Sequence, residues 1–150
     1  MSKERFRAIP AVYLSLIKDN KVLLLLRKNT GFEDGNYGLV SGHLEPDETI
    51  MQAMAREAKE ESGIEIDLAD LELQHVLNRQ ESGNERIDFF FSAKKWNGEI
   101  TNTEPHKCDG LEWFDLDKLP NNIVDYINQV LEDIKDKKIY RETTKKGALS

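Results

Sequence analysis

A single cysteine, Cys108, stands in the whole chain, so no internal disulfide can form; this suits a reducing, cytoplasmic setting. Long apolar runs are missing too. The longest aliphatic stretch, Val22 to Leu26, is far too short to span a bilayer, and residues 1–7 carry no apolar signal region, so a cytoplasmic protein without membrane contact is expected. Surplus positive charge is absent as well: 21 Lys and Arg against 28 Asp and Glu leave a net charge of −7. That argues against a protein that tracks polymeric nucleic acid by releasing counterions, while a small anionic substrate remains possible if local cations receive it. There is no repeat and no Pro/Gly/Ser-rich linker among these 150 residues, so a single domain over 1–150 is expected, with its core at about 8–137 and a frayed, patternless tail over 138–150. At 39% hydrophobic and 33% charged, the chain has enough apolar side chains for a real core.

What is present is concentrated between Gly42 and Ile64. Thr49 followed by Gln52 is a capping-box pattern, Ala53, Met54, Ala55 and Ala58 favour helix, and Gly63 suits the left-handed position just past a helix end. A helix over about residues 50–62 is predicted. At about 100° per residue, Ile50, Met51, Met54, Ala55 and Ala58 form its apolar stripe, and Glu57, Glu60 and Glu61 fall along the edge of that stripe. Three like charges so placed repel, and a hard divalent cation reverses the sign; Mg²⁺, or Mn²⁺, suits oxygen donors in a partly open site shared with phosphates. Arg56 lies one turn from Glu60 and can reach back to Glu48, which fits a residue that orients the acids. The plainer alternative is a solvated acidic face.

The spacing of the full stretch decides between these. It runs Gly42, five residues, Glu48, seven residues, Arg56-Glu57-Ala58-Lys59-Glu60-Glu61-Ser62-Gly63-Ile64, and so resembles the signature of the Nudix hydrolases. With each specified residue at a frequency of about 5–7%, a chance match in one window is on the order of one in a billion. The departures are small: Ala58 fills an aliphatic slot, and Val40-Ser41 stands where many relatives have Pro-Gly. The resemblance implies an α/β/α sandwich around a mixed β-sheet, which agrees with the mixed α/β class read from strands outnumbering two separated helices. It implies Mg²⁺-dependent hydrolysis of a phosphoanhydride in a nucleoside diphosphate linked to another group. The branch it resembles most is MutT-like, so a nucleoside triphosphate cut to monophosphate and pyrophosphate is the leading expectation. A nucleoside diphosphate sugar such as ADP-ribose, a dinucleoside polyphosphate, a capped RNA end, or a nucleotide-sensing module without turnover are the alternatives.

The resemblance also assigns roles. Glu57, Glu60 and Glu61 become metal ligands, Ser41 offers a backbone carbonyl, and Gly42, Glu48 and Gly63 shape the motif. Trp96-Asn97-Gly98-Glu99 with Glu104 eight residues after the Trp reproduces a MutT-type spacing, which makes Glu104 a further ligand. The general base stays open among Glu57, Glu61 and Glu104, with Arg56 as their orienting partner. Arg27, with Lys28, is expected to meet substrate phosphate, although both could simply be a solvated strand end. Phe32 reads either as loop packing or as a platform for the substrate, and His43 as a donor to a phosphate oxygen or a brace for its loop. Oligomeric state is open, a homodimer included.

Elsewhere, residues 8–17 and 22–26 read as a hairpin, residues 37–40 as a short strand, and 64–67, 71–77, 86–93 and 111–114 as further strands. Residues 79–85 read as a polar loop, and 121–137 as an amphipathic helix.

Overall fold

Strand β1 (Ile9–Leu14) is apolar on both of its faces: Val12 and Leu14 point to one side, Ala11 and Tyr13 to the other, and all four are buried. A strand with successive side chains on opposite faces can bury both only in the middle layer of a sandwich. A computed structural model, which describes residues 3–81 and 83–144 and the backbone of 147–149, places it there. Helix α1 (Ile50–Ser62) covers one face, where Met54 and Ala58 meet Val12, Leu14, Leu23 and Leu25. Helix α2 (Asp125–Lys135) covers the other, where Ile127, Val130 and Leu131 meet Tyr13, Val22, Leu24 and Phe90. The expected α/β/α sandwich is the observed architecture.

The remaining strands are β2 (Ile17–Lys18), β3 (Lys21–Arg27), β4 (Tyr37–Gly38), β5 (Val40–His43), β6 (Leu71–Glu81), β7 (Asn84–Ala93), β8 (Cys108–Asp115), β9 (Tyr140–Thr144) and β10 (Gly147–Leu149). One sheet has the order β10-β9-β6-β7-β1-β5, with β1 parallel to β7 and β9 parallel to β6; the other joins β2, β3, β4 and β8 around β3. The sheet is therefore mixed.

Several local expectations give way to tertiary pairing. Residues 8–17 and 22–26 do not form one hairpin: β1 pairs with β5 and β7, while β3 pairs with β2, β4 and β8, so the chain changes sheets near Ser15 and Leu16. Residues 37–40 likewise divide, with β4 on β3 and β5 on β1. Residues 64–67 supply only one bridge, Glu65 to Asn97. The loop read over 79–85 is mostly strand, since β6 and β7 stay paired out to Glu81 and Asn84. Helix α2 starts at Asp125, four residues later than its apolar pattern suggested. The tail expected to fray instead adds β9 to the sheet, and residues 145, 146 and 150 lie outside the described residues.

That strand is held by an ion pair invisible to local pattern. Arg141 donates through Nε and Nη2 to the two oxygens of Asp133 at 2.8 and 2.9 Å, and Asp133 Oδ2 lies 3.0 Å from Nε2 of the buried His75. A second buried pair lies further along β6 and β7. Arg79 Nε donates to Asp88 Oδ2 at 2.6 Å, with the guanidinium 3.9 Å from the centre of the Tyr126 ring. Burial pushes the Asp88 carboxyl up, and Arg79 opposes that shift. Arg79→Met leaves this carboxylate enclosed without its cation, so we expect a loss of about 3–5 kcal/mol in urea denaturation, and a change under about 1 kcal/mol would refute the pairing energetics.

Candidate active site

The loop that feeds α1 is fastened by one arginine. Arg56 donates to both oxygens of Glu48, at 2.7 and 3.1 Å, to Glu57 Oε1 at 2.7 Å, to Glu60 Oε2 at 3.2 Å and to the carbonyl of His43 at 3.1 Å. A planar guanidinium with fixed donor directions can tie a loop, a strand edge and a helix face in one geometry, which a lysine cannot. Glu48 is tied in turn by the Glu45 N–H at 3.0 Å. The helix begins with the capping box of Thr49 and Gln52 and ends with Gly63 at φ 75°, the left-handed conformation that its lack of a side chain permits.

Gly42 has a different reason to be glycine. Its backbone is ordinary extended strand, but a Cβ built there would stand 2.1 Å from the Glu57 carboxyl carbon. The Glu57 carboxylate thus lies directly against the strand. Next to it, the Ser41 N–H donates to Glu61 Oε2 at 3.1 Å. Strand β5 is the sheet's last strand, and a strand residue directs its N–H and C=O to the same side. The Ser41 carbonyl therefore also faces the open edge, as the His43 carbonyl does where it meets Arg56.

Glu57, Glu60, Glu61 and Glu104 line one cavity of about 490 Å³ together with Ser41, Gly42, His43, Arg27 and Lys107. Burial pushes the Glu61 carboxyl up to about 8; the Ser41 N–H opposes this, and Glu57 and Glu104 add to it. Burial raises Glu57 as well, against the pull of Arg56. Crowded, poorly solvated carboxylates are the donor set a hard divalent cation stabilises, so the residues present fit Mg²⁺ in number, hardness and charge. Among the described residues, no three acidic, histidine or cysteine side chains already converge as a finished cage. Glu57 and Glu60 are turned onto Arg56, and Glu61 onto Ser41.

A pH dependence follows. Glu61 has its carboxyl raised from 4.5 to about 8, so its contribution to stability is fully present below about 4.5 and is lost as pH rises through about 8. Cation binding requires the ionised form. In EDTA, the melting temperature should therefore fall between pH 5 and 8, Glu61→Gln should flatten that slope, and Mg²⁺ should raise the melting temperature more at pH 8 than at pH 5. An equal Mg²⁺ effect at both pH values would contradict the assignment.

The other predicted residues are placed unevenly. Arg27 lines the carboxylate cavity and organises the following loop, donating to the Phe32 carbonyl at 2.7 Å and to Thr30 Oγ1 at 3.1 Å. Phe32 is 49% exposed, with the Arg27 guanidinium over its ring. His43 reaches the cavity and lies 2.8 Å from Arg86 Nη1. Lys28 does not join them: it turns outward to Asp109 at 3.2 Å, because successive residues at a strand end face opposite ways. Lys107 lines the cavity in its place.

A neighbouring cavity of about 300 Å³ on the α2 side of the sheet shares Arg27, Ser41, Gly42 and His43 with the first and has Phe32 in its wall. Its walls include Arg79, Glu81, Arg86, Tyr13 and Tyr126. Sequence reasoning missed the pairing of Arg79 with Arg86, because it read 79–85 as a loop where β6 runs to Glu81 and β7 starts at Asn84.

The chain matches the NUDIX domain family over residues 7–134. It is 32% identical over 135 residues to an ADP-ribose pyrophosphatase of Methanocaldococcus jannaschii, covering 89% of this chain and 78% of that protein. It is 31% identical over 97 residues to an NAD-capped RNA hydrolase NudC of Stutzerimonas stutzeri, across 65% of this chain but only 33% of that longer protein. The crystal structure of a MutT NUDIX hydrolase from Burkholderia pseudomallei superposes with a TM-score of 0.76 at 27% identity, covering 85% of this chain and 98% of the other. The MutT protein from Bacillus halodurans shares the fold, with a TM-score of 0.71 at 21% identity over 95% of each chain. The fold, the acid helix and these matches make the chain a member of the Nudix hydrolase family. Such enzymes act on nucleotide-linked substrates and in general depend on a divalent metal.

Among the described residues, no helix is long and apolar enough to cross a membrane.

Proposed function

We infer that this hydrolase cuts a nucleoside triphosphate to the monophosphate and pyrophosphate. The observation that carries this reading is the meeting of two unlike cavities at Ser41-Gly42-His43, one lined by carboxylates and the other of about 300 Å³. The second has the size of one nucleoside and sits at the low end of small-molecule sites. A phosphate chain crossing β5 would lie against the acids while its nucleoside lay on the α2 side. The MutT-like spacing from Trp96 to Glu104, and the likeness to a MutT structure at 27% identity, support the same choice.

Glu57, Glu60, Glu61 and Glu104, with the Ser41 carbonyl, would hold Mg²⁺, which supplies charge neutralisation and a water more acidic than bulk. The protein's own part is positioning. Arg56 fixes Glu57 and Glu60 on one helix face, Gly42 admits the Glu57 carboxylate to the strand surface, and Arg27 and Lys107 bring positive charge to the phosphates. One of Glu57, Glu61 and Glu104 accepts the proton of the attacking water. In phosphoryl transfer such placement and neutralisation account for most of the rate.

The relative named ADP-ribose pyrophosphatase, matched over 89% of this chain, favours a second reading, a nucleoside diphosphate sugar substrate. A panel of nucleotides with Mg²⁺, products resolved by chromatography, separates the two. Pyrophosphate release from triphosphates supports the first reading; two monophosphates from ADP-ribose, with triphosphates untouched, overturn it. Glu61→Gln serves as the inactive control.

A further inference from the structure

The cavity on the α2 side holds a charge arrangement that folding alone does not explain. Arg79 and Arg86 are directly opposite one another on β6 and β7, a cross-strand pair of like charges that costs stability. Arg79 is compensated, by Asp88 at 2.6 Å and by Glu81 at 2.6 Å. Arg86 hydrogen-bonds to no carboxylate among the described residues, although Asp88 two residues along the strand feels its charge. Its side-chain hydrogen bond is to His43 Nε2 at 2.8 Å, and because a guanidinium can only donate, the ring nitrogen accepts. In a chain of net charge −7, a half-buried guanidinium that hydrogen-bonds to no carboxylate and faces a second guanidinium keeps donor directions for a ligand.

Glu81 is its complement on the same wall. One oxygen takes Arg79 Nη1, and the side chain remains 47% exposed at the cavity. An acceptor beside a strong, forked donor suits a planar group that presents a carbonyl oxygen and an amine on one edge. Guanine and cytosine carry both on one edge; adenine lacks the carbonyl, and uracil and thymine offer only a ring N–H between two carbonyls, whose lone pairs oppose a carboxylate.

We propose that Arg86 is a specificity-determining residue: braced by His43, it donates to a carbonyl of the substrate base while Glu81 accepts from the exocyclic amine, so that the cavity selects guanine and cytosine nucleotides. This rests on the reading of the cavity as the nucleoside side of the site, but not on turnover. The brace also couples base to phosphate, because His43 belongs to the strand that lines both cavities. A wrong base leaves Arg86 or Glu81 without a partner, which is how a polar pocket rejects an analogue.

The test is equilibrium binding of GMP, CMP, AMP and UMP to the whole chain in EDTA, by calorimetric titration, for wild type, Arg86→Ala, Arg86→Lys and Glu81→Gln. GMP and CMP should bind at least about tenfold more tightly than AMP and UMP, the discrimination expected of one good paired contact. Arg86→Ala should bring all four within about threefold of one another, and Arg86→Lys, which keeps the charge but not the fork, should do nearly the same. Glu81→Gln should weaken GMP and CMP more than UMP. Thermal melts check folding, and Arg86→Ala, which relieves the like-charge pair, should melt no lower than wild type. An even loss across all four monophosphates would assign Arg86 to phosphate and overturn the proposal, as would a wild-type preference for AMP or no saturable binding of any of the four. Failure of triphosphate cleavage with the base preference intact would overturn the proposed reaction and leave this assignment standing.

Discussion

Glu61→Gln is expected to lower kcat by at least about 10²-fold while the protein stays folded, and Glu57→Gln to do the same. The geometry gives the two residues different reasons. Glu61 has its carboxyl raised to about 8 by burial beside Glu57 and Glu104, so it is the acid in this site most in need of a positive neighbour and the one most altered by losing its charge. Glu57 lies against Gly42 and bonds to Arg56 at 2.7 Å, so its amide would keep the shape but weaken the pull on the cation. Neither substitution opens a cavity, and in the absence of metal Glu61→Gln replaces a carboxyl that is neutral in the folded protein below about pH 8, so its melting temperature should match that of wild type near pH 4.5 and exceed it increasingly as pH rises toward about 8. The decisive measurement is kcat with saturating Mg²⁺ on the substrate that the chromatographic panel selects. Turnover within about threefold of wild type in either folded variant would remove these residues from the chemistry.

Gly42→Ala should be nearly as damaging, through one methyl group. A Cβ at that position would stand 2.1 Å from the Glu57 carboxyl carbon and from its Oε1, and 2.6 Å from its Cγ. Those atoms belong to the far end of a flexible side chain, so the strand need not move: the Glu57 side chain must. Its bond to Arg56 and its place at the strand surface are lost together, and kcat should fall on the order of 10²-fold with less than about 1 kcal/mol lost in stability. A double-mutant cycle isolates the mechanism. If Gly42 acts by admitting Glu57, the Gly42→Ala/Glu57→Gln enzyme should be little worse than Glu57→Gln alone, because both changes remove one interaction. Fully multiplicative losses would show that Gly42 serves some other purpose. The methyl group also tests whether space or conformation is at issue, since the backbone of Gly42 is one that alanine adopts freely.

The acid helix was legible because its determinants are local. Thr49, Gln52 and Gly63 set its ends by contacts within four residues, and the helical period alone puts Glu57, Glu60 and Glu61 along one edge. The link from Arg56 to Glu60 follows from the same short range, and Glu48 lies only eight residues back from Arg56. Placement of β1 and β3 in different sheets was not legible, because both read as apolar strands separated by a turn, the usual pattern of a hairpin. Only the competition for partners, with β7 on one side and β8 on the other, resolves it. Strand β9 was hidden for a similar reason. Tyr140 to Thr144 has no apolar alternation, and its order comes from Arg141 reaching Asp133 and from the ladder with β6.

By itself, then, the sequence determined which side chains would gather as acids on a helix, since spacing along a helix converts directly into direction. The tertiary structure alone decided what faces them: the open edge of β5, the cavity behind it, and Arg86 beside His43. Those depend on strands far apart in the chain becoming neighbours, and a neighbour chosen by burial across the whole domain leaves no mark in local spacing.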